Sequence, residues 1–536
     1  NGTIKLDGNY PVGTGNVALG DAALNGSISG IYNTAIGSFS MTPLTSGGQN
    51  TALGASALRF ITTGSYNTAI GMESLQTNTT ASYNTAVGYQ ALYFNTTGAS
   101  NVGIGYRANF SGVTANNNTA VGFIALSNNT AAANSAFGTS ALAANTTGTE
   151  NQAFGQNALT SNTTGSANSG FGQATLFSNT TGENNTAIGY RSLFYNTTAS
   201  YNTANGYQAL HNNTTGASNT ANGYLALNAN TTASYNTAVG FSALTANTTA
   251  DHNTAVGHNA LTSNTTGFQN TAVGSGAGTA ITTGDTNVAV GAAALDALVT
   301  GDNSTAVGRD ALGATTVGGN TAVGSLALQA NTTGSNNVAV GFFAGYNNTT
   351  GSNTTALGYA SLTANTTGAN NVALGSSALT ANTTASNNTA VGYQAGYSNT
   401  TGSWTTAFGT KAAYNTTTPA FNSAFGGQSL YSNTTGASNV AVGQNALYSN
   451  TTASNNTAVG YEAGQNNTTG TGNNTLGYQS MKSNTTGNYN TVFGHVAAGL
   501  NTTGSDNTVI GSQAMYNNVA SNNTGVGSTA LYANTS

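Results

Sequence analysis

The stretch that decides the fold is Ser234–Gly274, SYNTAVGFSALTANTTADHNTAVGHNALTSNTTGFQNTAVG. It states one polar phrase twice and starts it a third time. If the Asn of N-T-A-V-G opens each unit, units begin at Asn16, Asn33, Asn50, Asn67, Asn84, Asn101 and Asn118, a spacing of 17. The ruler shortens by one residue before Asn134, before Asn320 and before Asn523, and otherwise holds, giving 31 units. A disordered low-complexity tract has no reason to keep such a period, so the chain is read as ordered.

The consensus is N-T-A-V-G-Y-Q-A-L-x-x-N-T-T-G-x-x, numbered below as slots one to seventeen. Slot five is Gly in every unit, including Gly88, Gly105, Gly122, Gly240, Gly257 and Gly274. A Gly fixed at one place implies a backbone that needs positive φ or a close neighbour. Slot nine is Leu or Met in 24 of the 31 units. Seventeen residues are too few for a helical-hairpin repeat. Thr, Val, Tyr and Phe favour strands, whereas Asn and Gly mark turns.

Each unit is therefore expected to be one coil of an all-β parallel β-solenoid. N-T-A-V-G forms one strand, A-L and its flanks a second, and N-T-T-G the returning corner. Side chains alternate along a strand. The expected core is slot four with slot nine, as in Val87, Leu92, Leu210, Leu244 and Leu261. The Ala-Gly side then faces outward, either as a flat exterior or as a face against which another chain packs. Coils about 4.8 Å apart would make a rod on the order of 150 Å long, with Asn, Thr and Tyr stacked in ladders. Asn1–Gly15 reads as a cap or connector, Asn16–Gly527 as the solenoid and Ser528–Ser536 as a tail.

Composition narrows the function. Only 4% of residues are charged, the net charge is -5, and the seven basic residues are scattered from Lys5 to Lys482. Nucleic-acid binding needs clustered Lys and Arg, so it is not expected. No apolar run is long enough to insert across a bilayer as a helix. The absence of cysteine removes disulfides and thiolate metal sites. The start at Asn1, without Met, reads as a processed or trimmed chain.

The phrases G-N-V-A-L-G (Gly15–Gly20), N-T-A-I-G (Asn67–Gly71) and N-V-A-V-G (Asn287–Gly291) resemble the S-V-A-I-G phrase of YadA-like heads, found in trimeric autotransporter adhesins. The longer phrase is similar to repeats of bacterial and phage tail-fibre-like proteins. The resemblance covers Asn16 to Gly527. It implies a left-handed β-roll, three chains side by side, displayed on a cell or virion surface and contacting host glycans or proteins.

Candidate chemistry is sparse. His211, His252, His258 and His495 fall in slots ten, seventeen, six and six, so no His triad is expected. Asp285 and Asp302 share slot sixteen of consecutive coils, with Asp296 and Asp310 nearby; two stacked carboxylates suit either solvated loops or a bound calcium. No other cofactor is implied. Asn205 and Asn222 fill slot four, where a buried amide would need a ladder or a wetter core. Tyr190, Tyr207 and Tyr224 share slot six, as a stabilising stack or an aromatic binding strip. Repeated N-T-T and N-N-T-A sequences are glycosylation acceptors by pattern, or else structural Asn.

The expected function is an extracellular structural fibre or adhesin that associates with itself as a homotrimer or filament. An ice-binding solenoid is the alternative, and a polysaccharide-degrading β-helix enzyme a more remote one; no catalytic residues can be named.

Overall fold

A computed structural model describes residues 14–25 and 28–533. The expected cap at Asn1–Gly15 lies almost wholly outside the described residues. The fold is all-β, a parallel β-solenoid with one three-residue strand per coil. Strands β1 (Val17–Leu19) to β15 (Thr254–Val256) belong to one unit, Asn1–Phe268. Strands β16 (Thr271–Val273) to β31 (Thr524–Val526) belong to a second, Gln269–Ser536.

Each strand is slots two to four of the repeat, paired in register with its neighbours. In the first unit Thr68, Ala69 and Ile70 pair with Thr85, Ala86 and Val87. In the second, Thr389, Ala390 and Val391 pair with Thr406, Ala407 and Phe408. The one-residue slips leave this register intact: Thr119 pairs with Ser135, Thr305 with Thr321 and Thr508 with Thr524. The missing residue comes out of the corner after slot twelve. There Asn118 Nδ2 reaches Ala131 O across 13 residues, where unshortened coils use 14. A corner tolerates the deletion because its loss flips no side chain from one face to the other.

The strands point the opposite way from the expectation. Slot three is the interior: Ala69, Ala86 and Ala238 are fully buried. Slots two and four face outward, and Val87 is only half-buried. Leu92, Leu210, Leu244 and Leu261 are fully buried, as expected. The physical reason is volume. A 17-residue coil encloses one thin layer, which slot nine fills with Leu in most coils, and slot three opposite is then most often Ala. Val opposite Leu would crowd this layer more than Ala does; Val492 and Val509 are fully buried in slot three only where slot nine is Met481, Ala498 or Met515.

Slot five closes the strand at φ 128 in Gly88, 131 in Gly105 and 141 in Gly122, a region only Gly occupies readily. These glycines lie one above another: a Cβ on Gly88 would sit 2.6 Å from Gly105 O, and one on Gly105 2.4 Å from Gly122 O. The column has both the positive φ and the close neighbour inferred from sequence.

Among the described residues the expected second strand is absent. A-L and its flanks form a turn in which slots seven and nine are left-handed, φ 55 at Gln90 and 53 at Leu92, as is slot seventeen, φ 61 at Ser100. Each non-Gly residue there costs on the order of 1 kcal/mol. The turn offsets this through hydrogen bonds between coils: Gln90 N–H donates to Met72 O at 3.1 Å and Leu92 N–H to Ala108 O at 2.9 Å. Burial of the Leu contributes a further ~1.5–3 kcal/mol. Ser528 to Ala533 continue this pattern, with Met515 donating to Ala530 O at 2.7 Å and Asn517 to Tyr532 O at 2.8 Å.

Two amide ladders complete the interior. At slot one, Asn84 N–H donates to Asn67 Oδ1 at 3.0 Å, and Asn84 Nδ2 to Gly98 O at 2.9 Å. At slot twelve, Asn162, Asn179, Asn196 and Asn213 each donate Nδ2 to the Oδ1 of the preceding member at 2.8–2.9 Å. Buried amides are stable here because each finds its partners on a neighbouring coil.

Candidate functional site

Everything chemically distinctive lies on the outside of the coils, in columns that repeat one slot. The first is slot four. Ile70, Ile104 and Ile188 are 37%, 38% and 42% exposed in the first unit, and Leu357, Leu374 and Phe425 39%, 39% and 40% in the second. Phe137, Phe154 and Phe171 stack in this column with centroids 4.6 and 4.9 Å apart. Asn205 and Asn222 occupy it too, and they are exposed. The expectation of a buried amide ladder or a wetter core at these positions is thus corrected: outward amides meet water and need no partner.

The second column is slot six. Tyr190, Tyr207 and Tyr224 do come together, with centroids 5.5 and 5.2 Å apart, and Phe241 and His258 extend the stack at 5.0 and 5.3 Å. The Arg191 guanidinium lies 5.2 Å from both the Tyr190 and Phe194 rings, joining slot six to slot ten. Because the rings are nearly parallel, each interior ring spends both faces on its neighbours. What the column offers is ring edges and hydroxyls, a poor platform for stacking a sugar.

Each of the four His ends such a stack. His211 follows Phe194, His252 follows Tyr235, His258 follows Phe241 and His495 follows Tyr478, all at 5.0–5.3 Å. The residues one coil further on are Asn228, Gln269, Ser275 and Ser512. The imidazoles therefore serve as the terminal rings of these stacks.

Asp302 Oδ1 accepts the backbone N–H of Asp285 at 2.8 Å. This is the capping bond that Ser makes elsewhere in slot sixteen, as when Ser82 Oγ accepts from Ser65 N–H at 3.0 Å. Asp310 is engaged by Arg309 at 2.6 Å. Burial, then repulsion from Asp310, holds Asp296 above the usual carboxylate range, against a backbone hydrogen bond that lowers it. Calcium requires six or more oxygens, and among the described residues no group of three or more His, Cys, Asp or Glu could hold a metal ion.

One charged cluster is built more firmly. Glu462 accepts from Lys482 Nζ at 2.6 Å and from Gln479 Nε2 at 2.8 Å. The Lys482 hydrogen bond holds its carboxyl below the ordinary range, against the opposing effect of burial. Glu73, Gln90 and Arg107 make a comparable ladder in slot seven, at 2.7 and 2.8 Å.

The glycosylation acceptors divide by slot. In N-T-T the Asn is in slot twelve: Asn196 is fully buried and its Nδ2 donates to Asn179 Oδ1 and Ala199 O. In the N-N-T-A that opens a coil the acceptor is in slot seventeen, and Asn184 is exposed. No helix among the described residues is long and apolar enough to cross a membrane. The chain matches no model of a known protein family and no curated protein.

Proposed function

We propose that the chain is an extracellular structural module, a repeat scaffold for attachment or filament formation that associates with copies of itself through the outward strand face, in the three-chain manner the repeat resemblance implies. The slot-four column carries this reading. Roughly 50 Å² of apolar side chain per coil, over the 13 strands of the first unit whose slot four is apolar, amounts to on the order of 650 Å², more than the roughly 300–600 Å² of the largest patch on a typical monomer. It approaches the ~800 Å² that each partner contributes to a stable interface. Exposed Asn205 and Asn222 interrupt the stripe and would face the partner.

Triple replacement of Val87, Val121 and Val239 by Lys tests this. These side chains point outward, so the coils should still form, as read by far-ultraviolet circular dichroism. Light scattering should show a multimer for the parent chain and a monomer for the variant. A parent chain that is monomeric at tens of micromolar, or a variant of unchanged mass, would end the proposal.

A second reading has one observation in its favour: Thr34, Thr51, Thr68 and Thr85 form an outward column on a regular sheet, as an ice-binding face would need. Phe side chains in slot four and Gln152 in slot two break its flatness. Thermal hysteresis in dilute solution separates the two readings.

A further inference from the structure

Tyr397, Tyr414, Tyr431 and Tyr448 occupy slot ten of four successive coils, a run of Tyr with no other ring in it. Their centroids are 5.1, 5.2 and 5.0 Å apart, and adjacent ring planes differ by 8°, 7° and 4°. All four rings are half-buried, so their outer edges are accessible. The backbone holds this geometry from coil to coil: Ser398, Asn415 and Ser432 N–H donate to the carbonyls of Tyr414, Tyr431 and Tyr448 at 2.9, 3.0 and 3.0 Å.

A phenol that loses one electron sheds its proton and becomes a phenoxyl radical, whose unpaired electron lies partly on the ring carbons ortho to oxygen. In free solution such radicals must diffuse together. Here the second phenol is already held within one coil spacing, which raises its effective concentration as any fixed orientation does. Two directly bonded rings have centroids only slightly closer than those observed, so coupling needs a swing of the side chains and no opening of the coils.

We propose that this column is an oxidative cross-linking site, at which a one-electron oxidant such as a peroxidase intermediate joins neighbouring coils through dityrosine bonds. Two phenols each give up one electron to the oxidant and one proton to water. One carbon–carbon bond forms between their ortho carbons. The ortho hydrogens then move to the two oxygens, restoring both aromatic rings, so the net loss is two electrons and two protons. Each bond closes a seventeen-residue loop, as between Tyr397 and Tyr414, and ties one coil to the next. The proposal stands on the geometry of the column and is independent of the fibre reading.

Lys411 lies between Tyr397 and Tyr414, and trypsin would release residues 310–411 and 412–482 as separate fragments. The full native chain is illuminated briefly with tris(bipyridine)ruthenium(II) and persulfate, checked for intact single-chain mass, unfolded and digested. The two fragments should remain joined, at their summed mass less two hydrogens. Tyr414→Phe should release them, because Tyr397 and Tyr431 are two coils apart, whereas Tyr431→Phe should leave them joined. The proposal is overturned if native fragments separate although tyrosine has been consumed, or if the join occurs only between chains. It is also overturned if the join survives in Tyr414→Phe, or forms equally well when the chain is oxidised in urea. The comparison with urea decides the matter even if a variant misfolds.

Discussion

Replacing Asn109 by Leu and Gly112 by Asn together should stabilise the coil Asn101–Asn117, although the second change alone should weaken it. Asn109 sits in slot nine, in a column otherwise occupied by Leu92 and Leu126. Both polar atoms of its side chain are buried with no hydrogen-bond partner. An unsatisfied buried amide costs about 1–3 kcal/mol. Leu in its place would bury apolar surface worth ~1.5–3 kcal/mol, less on the order of 1 kcal/mol because Asn tolerates the left-handed φ of 49 better than Leu.

Gly112 stands where the slot-twelve ladder has its Asn, and Asn95 Oδ1 is left without a partner beside it. An Asn at 112 would donate to it as Asn162 donates to Asn145 at 2.8 Å, for ~0.5–1.5 kcal/mol. A Cβ at 112, however, would lie 2.9 Å from Asn109 Oδ1. The misplaced amide thus occupies the space of the missing one, and the two sites must couple. The double variant should gain about 3–4 kcal/mol locally. Solenoids unfold by segments, so the assay is amide hydrogen exchange read by mass spectrometry over residues 101–117. Since 1.4 kcal/mol is tenfold in an opening equilibrium, protection there should rise on the order of a hundredfold in the double variant and fall for Gly112→Asn alone. Additive effects, or a neutral Gly112→Asn, would show that the packing has been misread.

Thr416 interrupts the same ladder in the second unit; its hydroxyl and Asn399 Oδ1 both lack partners. Thr416→Asn should join the Asn331–Asn399 run to the one starting at Asn433 and slow exchange there by about tenfold, for ~1–2 kcal/mol. Glu462 has a folded pKa below its unfolded value, so its contribution is present above the unfolded carboxylate pKa of about 4.3 and is lost as pH falls through the folded value. Exchange protection around Glu462 and Lys482 should therefore drop on acidification below that range, and Lys482→Met should abolish the dependence. In a host that N-glycosylates secreted chains, folded molecules should carry glycans at Asn184 and none at Asn196, as glycopeptide mapping can show; occupied Asn196 in a protease-resistant molecule would contradict the ladder.

The period, the single coil per unit and the Gly column were legible because each depends on one residue type repeated without exception. The turn was not. Left-handed residues at slots seven, nine and seventeen carry Gln90, Leu92 and Tyr66 as readily as Asn, so β-branching and apolarity suggested a second strand. A signal was nevertheless present: Gly278, Gly345, Gly396 and Gly464 replace Leu in slot nine, a substitution that a strand core would not invite and a positive φ does. At Gly345 the vacated space is met by Leu328, whose Cδ2 lies 3.0 Å from where a Cβ would be.

The inverted strand faces teach a separate lesson about the outward columns. Alternation assigned the parity of slots two to five, since slots two and four share one face and slot three takes the other. Alternation cannot choose which face is inside, and hydrophobicity chose wrongly because Val and Ile are more apolar than Ala. Where slot nine is Leu, as at Leu92, the space opposite is largely filled and Ala fits it best; Val492 and Val509 enter the interior where slot nine is Met or Ala. An apolar column placed on the outside by this steric limit is not accounted for by the folding of a single coil, and this is why slot four, more than the aromatic stacks or the paired aspartates, is the surface on which a partner should be sought. Exchanging the two demands within one coil, with Ala86→Val and Val87→Ala, should therefore disrupt that coil through overpacking by ~1–3 kcal/mol, whereas Val87→Ala alone should leave it folded and weaken only self-association. Equal stability of the two variants by hydrogen exchange would mean that volume does not set the faces.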